Sequence, residues 1–214
     1  GTKLFVPNAH VSDNLVVAAR TGVGATDISL FIVSSQAEGV TQNLLKTIAS
    51  DRQSEVVFEK VEVPSSALLG EKNAGWATIE KVLQWGAIGK CAEMSGGGQE
   101  VLDMTVEYAK QRTQFGRPIG TFQAIQHHCA NMATDVEGAK FITYQAAWKL
   151  SEGLPAEREV AMAKAWVSEA YRRVCALGHQ SHGAIGFTKE HNMQLYSRRA
   201  KAAELAFGDA DLHL

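Results

Sequence analysis

Two hydrophobic rhythms divide the chain. Through residue 69, apolar positions come in short β-rich runs at residues 3–6, 14–19, 28–33, 42–48 and 56–63, separated by Pro7-Asn8, Thr21-Gly22 and Ala37-Glu38-Gly39. This spacing predicts an all-β segment. In the last run Val57, Glu59, Val61 and Val63 share one face and Val56, Phe58, Lys60 and Glu62 the other. Neither face is cleanly apolar, which predicts a strand packed on both sides.

After Pro64 the period becomes helical. Beyond Phe122, the positions Ile125, Cys129, Met132, Val136, Ala139, Thr143, Ala146 and Leu150 follow in steps of three and four, and Val160, Ala163, Val167, Ala170, Val174 and Leu177 repeat the stripe. An earlier long helix is expected over residues 74–111 and a shorter last one over 189–206. Gly116-Arg117-Pro118, Gly153-Leu154-Pro155 and the pair Gly183 and Gly186 mark the turns. Four helices joined by short loops predict an antiparallel bundle. Gly96-Gly97-Gly98 falls inside the first helix, where each glycine costs about 1 kcal/mol relative to alanine. Close approach of a neighbouring helix and contact with a ligand are both open as the compensation.

Charge narrows the class of partner. The 214 residues carry 21 basic and 23 acidic side chains, with no block of one sign, so a small molecule is expected rather than nucleic acid or a membrane surface. No run of eighteen apolar residues and no secretory pattern at Gly1-Thr2-Lys3-Leu4-Phe5-Val6 is present, which leads to the expectation of a cytoplasmic or mitochondrial-matrix protein. Cys91, Cys129 and Cys175 lie far apart and lack a CxxC partner, and the histidines lack the spacing of a metal site, so no disulfide framework and no metal are expected.

Particular words in the sequence go further. Residues 108–120, Tyr-Ala-Lys-Gln-Arg-Thr-Gln-Phe-Gly-Arg-Pro-Ile-Gly, followed by Phe122-Gln123-Ala124-Ile125-Gln126-His127, closely resemble the first helix-to-helix turn of the acyl-CoA dehydrogenases. Residues 180–191, from Gln180-Ser181-His182-Gly183-Ala184 onward, look like that family's glycine-rich loop, and Arg198-Arg199-Ala200-Lys201 resembles the segment after it. Residues 1–6 and 57–64, with Leu69-Gly70, are similar to its middle β-domain. The resemblance implies an α+β fold: an incomplete β-barrel-like segment over residues 1–69, then an antiparallel four-helix bundle over 70–214. It also implies a fragment, itself inactive, because family members begin with a helical domain and first β-strands that precede this match.

The chemistry implied by the resemblance is FAD-dependent oxidation of an acyl-CoA thioester to the 2,3-enoyl-CoA, with electrons leaving to an electron-transfer flavoprotein. Arg112 is the expected pyrophosphate ligand, since a guanidinium offers bidentate charge-assisted bonds. In the family the matching arginine reaches across a subunit boundary, so a homo-oligomer, dimer or tetramer, is implied. Thr113, Gln114, Phe115, Phe122, Gln123 and Gln126 fall where the family contacts the same FAD, and Gln180, His182, Gly183 and Ala184 along its adenosine half. The usual catalytic glutamate is replaced by Phe207, and the position a minority use falls on Gly86. The carboxylates left are Glu93, seven residues from Gly86 and so on nearly the same helix face, and Asp209 and Asp211. Glu93 is the first candidate base, on the expectation of a buried carboxylate with a raised pKa. A non-catalytic subunit of a heteromeric dehydrogenase is the alternative.

Overall fold

Alternating and β-branched residues build six strands: β1 (Thr2–Pro7), β2 (Asn14–Arg20), β3 (Ile28–Ser34), β4 (Val40–Leu45), β5 (Gln53–Phe58) and β6 (Leu68–Leu69). The computed structural model, which describes residues 1–213, arranges them as two antiparallel sheets ordered β1-β5-β4 and β2-β3-β6. Leu15 of β2 and Val56 of β5 meet over Ala9 in a small shared core.

The strand expected over 56–63 is displaced: β5 stops at Phe58. Glu59 N–H donates to Gly39 O, and Lys60 then takes a left-handed φ of 51°, so the extended run ends there. Gly39 itself has φ 85°, and a Cβ on it would stand 2.1 Å from Glu59 O, so no other residue fits this crossing. The run expected over 42–48 is likewise shifted, pairing from Val40 to Leu45 against β5.

The helical stripes become α1 (Trp76–Gln111), α2 (Gln123–Ser151), α3 (Glu157–His182) and α4 (Met193–Leu205), with a single turn, α5 (Ala210–His213). A two-strand hairpin, β7 (Thr113–Gln114) and β8 (Arg117–Pro118), joins α1 to α2. Its turn needs left-handed backbone at Phe115 (φ 52°) and Gly116 (φ 77°). The bundle core contains Cys91, Met94 and Val101 of α1, Met132 and Val136 of α2, Val167 and Val174 of α3, and Met193 of α4. Burying each larger side chain contributes about 1.5–3 kcal/mol.

The glycine triplet has a packing role at two of its positions. A Cβ on Gly97 would meet Tyr171 Oη at 2.5 Å, and one on Gly98 would touch Val136 at 3.5 Å, while Gly96 faces open space. The chain divides into two units, Gly1–Val82 and Leu83–Leu214, and the division falls within α1. Among the described residues, no helix is long and apolar enough to cross a membrane.

Candidate functional site

One end of the bundle gathers both sequence signatures. Arg112, Thr113, Gln114 and Phe115 leave α1 on the β7–β8 hairpin with their side chains exposed. Ile119 N–H donates to Arg112 O at 2.8 Å, which fixes the backbone of that arginine, while its guanidinium stays free of any partner among the described residues. Phe115, 92% exposed, packs edge-on to Phe122, over whose ring Arg117 lies at 4.2 Å. Gln123 and Gln126 start α2, and Gln126 donates to Gly120 O.

The end of α3 lies beside the end of α1, because the His182 ring stacks on Tyr108 at 4.5 Å. His182 is buried; its Nδ1 bonds Gly178 O at 2.8 Å, and it meets His191 edge-on. Its Nε2 is buried with no partner among the described residues. Burial, then the neighbouring His191, lowers the pKa of His182, with the Gly178 carbonyl opposing, so its ring is a neutral packing element. Gln180, Gly183 and Ala184 are exposed beside it. Gly183 has φ 65° and open space where a Cβ would stand.

This donor set fits an anionic dinucleotide such as FAD. A guanidinium with no partner among the described residues, the exposed amides of Gln114, Gln123 and Gln180, which likewise have none, and an exposed aromatic are brought to one end, where a glycine exposes its backbone. His182 differs from the other predicted contacts, since its side chain faces Tyr108 and His191 rather than the surface.

At the other end stand Phe207 and Gly86, the two positions to which the family resemblance assigns the base. Phe207 lies on Gly86: a Cβ there would be 2.3 Å from the ring's Cε1. Gly86 and the end of α1 at Gln111 are separated by about 38 Å at the helical rise of 1.5 Å per residue. Phe207 (φ 59°) and Gly208 (φ 92°) are both left-handed, and a bulky residue there costs about 1–3 kcal/mol. Lys164 of α3, fully buried, donates to Glu204 O at 2.9 Å, Gly208 O at 2.7 Å and Ser168 Oγ at 3.0 Å. Burial lowers its pKa, opposed by the nearby Cys91, Glu204 and Asp209.

Lys164 was absent from the candidates read from the sequence, yet a signal existed. Val160, Lys164, Val167, Tyr171 and Val174 run in steps of four and three, so a lysine sits in the apolar stripe.

Glu93 is not the buried carboxylate that was expected. Its side chain is 56% exposed and pairs with Lys90 at 2.5 Å. Asp209 accepts from Leu212 N–H at 3.1 Å and so caps α5, and Asp211 is exposed in its first turn. Among the described residues, no cluster of histidine, cysteine and carboxylate side chains could hold a metal ion.

The sequence of this bundle matches a known family model, the acyl-CoA dehydrogenase C-terminal domain, over residues 73–214. The chain belongs to the acyl-CoA dehydrogenase family. Within that family it is 37% identical to a 3-(aryl)acrylate reductase of Clostridium sporogenes, covering 99% of this chain and 58% of the relative. It is 35% identical to a subunit of the caffeyl-CoA reductase–Etf complex of Acetobacterium woodii, covering 99% and 57%. Among solved structures, butyryl-CoA dehydrogenase from Megasphaera elsdenii superposes with a TM-score of 0.94 at 32% identity, over 100% of this chain and 57% of that one. The chain thus spans less than three fifths of the length of these dehydrogenase-family relatives. The likeness extends through the α+β fold, with its open sheets and four helices.

Proposed function

We propose that this chain belongs to an FAD-dependent enzyme that oxidises an acyl-CoA thioester to the 2,3-enoyl-CoA. The observation that carries the reading is the exposed donor set at one end of the bundle, with the Arg112 guanidinium free of any partner among the described residues. Arg112 would take the pyrophosphate, Thr113, Gln114, Phe115, Phe122, Gln123 and Gln126 would line it, and Gln180, Gly183 and Ala184 would follow the adenosine half. FAD, when bound, supplies the acceptor for the substrate's β-hydride.

The separation of about 38 Å between this end and Gly86 supports cofactor binding across a subunit boundary, in a homodimer or homotetramer. Phe141, Tyr144 and Trp148, all exposed along α2, add support for an assembly. An electron-transfer flavoprotein would take the electrons, as the name of the Acetobacterium complex suggests for that relative. The cytoplasm or a mitochondrial matrix is the compartment we infer.

In this reading Glu93 is the carboxylate on α1 that would remove the α-proton, after parting from Lys90. In the full-length protein under anaerobic conditions, Glu93→Gln should abolish flavin bleaching by acyl-CoA. Unchanged bleaching would remove Glu93 from that role.

Phe207 against Gly86 favours a second reading. A phenyl ring cannot accept a proton and a glycine has nothing to offer, so this chain would be the non-catalytic, flavin-binding subunit of a heteromeric dehydrogenase whose base stands on another chain. The purified homomer would then hold FAD but stay unbleached by acyl-CoA until its partner subunit is added.

A further inference from the structure

The turn after α4 brings together a buried cation, a strained backbone and the position that the family resemblance assigns to the base. Lys164 is fully buried on α3, and every bond its ammonium makes is to an oxygen: Ser168 Oγ on its own helix, Glu204 O at the end of α4, and Gly208 O beyond it. The last two acceptors bracket Phe207. Between them the chain turns through two left-handed residues, and the ring of Phe207 comes down on Gly86 of α1. The His213 ring also bonds this turn, at 2.9 Å from Phe207 O, and Asp209 Oδ1 accepts from Leu212 N–H just beyond it.

We propose that Lys164 is a positioning residue: it clamps the two ends of the turn so that whatever side chain stands at residue 207 is held on Gly86. A phenylalanine with φ 59° has no intrinsic preference for this conformation, so the conformation must be held from outside the residue. Ammonium-to-carbonyl bonds at 2.7 and 2.9 Å are of the strong, charge-assisted kind, and inside a dry core they are worth more than on a surface. The charged and titratable groups around the ammonium are Cys91 and Lys90 of α1, Glu204 of α4 and Asp209 of the turn. They come from elements on both sides of it, which places the lysine at the junction rather than at an edge. The link to catalysis rests on the reading of residue 207 as the family's base position; the clamp itself does not.

The test uses full-length protein loaded with FAD. Hydrogen exchange should report Lys164→Met as a local change: the amides of Ala206, which bonds Ala202 O, and Leu212, which bonds Asp209 Oδ1, exchange about tenfold faster or more, while amides of mid-α1 and mid-α3 keep their protection. Ser168→Ala, which leaves both turn bonds intact, should leave these amides unchanged. If the methionine variant does not fold, Lys164→Gln, which keeps a donor but reaches less far, should give the same local pattern. A uniform loss of protection across the bundle, or none at Ala206 and Leu212, overturns the clamp. The functional arm places Phe207→Glu in both backgrounds. Bleaching by acyl-CoA should rise over wild type with Lys164 present and fall back about tenfold in kcat with Lys164→Met, at unchanged KM. No bleaching in either background would contradict the reading of residue 207 as a base position, and the exchange data would still decide the clamp.

Discussion

The Phe207 ring rests on Gly86 so closely that a methyl group at residue 86 would fall 2.3 Å from its Cε1. Two positions 121 residues apart in the sequence, the two to which the family resemblance assigns a carboxylate, adjoin in space, and here an aromatic ring fills the gap.

That contact makes a reciprocal stability test. Gly86→Ala should destabilise the protein by about 1–3 kcal/mol through overpacking. With Phe207→Ala already in place, the same change should become neutral or stabilising by up to about 1 kcal/mol, because only the helix preference for alanine remains. A denaturation double-mutant cycle measures the coupling, and additive effects would deny the contact.

The glycine triplet predicts opposite signs at neighbouring positions. Gly96→Ala meets open space and should stabilise by about 0.5–1 kcal/mol, whereas Gly97→Ala drives a methyl against Tyr171 Oη and should cost about 1–3 kcal/mol. Chemical denaturation of the two variants separates these outcomes.

Acid should destabilise the bundle through its histidines. His179 and His182 have pKa values below the ordinary 6.5, chiefly because burial disfavours the charged ring. As pH falls below 6.5 the unfolded chain takes up protons that the folded one resists. The stability carried by these neutral rings is therefore complete above 6.5 and lost as pH drops through their folded values. Thermal melts between about pH 7.5 and 5 should show a falling Tm, with a shallower slope in His182→Gln.

Alkali should act through the cysteines. Burial pushes the thiols of Cys91 and Cys175 up to about 12 from 9.0, so the folded chain keeps protons that the unfolded chain gives up. That stability is full below 9.0 and lost as pH rises toward about 12. Cys175→Ala should flatten the decline in denaturation midpoint over this range.

The helices were largely legible because their cores are local stripes: Met132, Val136, Ala139, Thr143 and Ala146 are all buried along α2, in the order the spacing predicts. The end of β5 was not, since it depends on the left-handed Lys60 and on a bond to Gly39 from twenty residues earlier. The exposure of Glu93 was hidden for a related reason. Helical phase places it near the face of Gly86, but Gly86 is covered by a side chain from the turn after α4, whereas Glu93 stays 56% exposed beside Lys90. Lys164 shows the reverse: its place in the stripe was visible, while its partners, two backbone carbonyls 40 and 44 residues on, were not.

The most direct test of the account is FAD retention by the full-length protein, wild type against Arg112→Ala, after removal of free flavin. The wild type should keep its visible flavin band while Arg112→Ala binds FAD at least about tenfold more weakly at an unchanged melting temperature of the apoprotein, since the guanidinium has no partner among the described residues to lose. A wild type that emerges colourless, or an Arg112→Ala variant that holds flavin as tightly as the wild type, would contradict it.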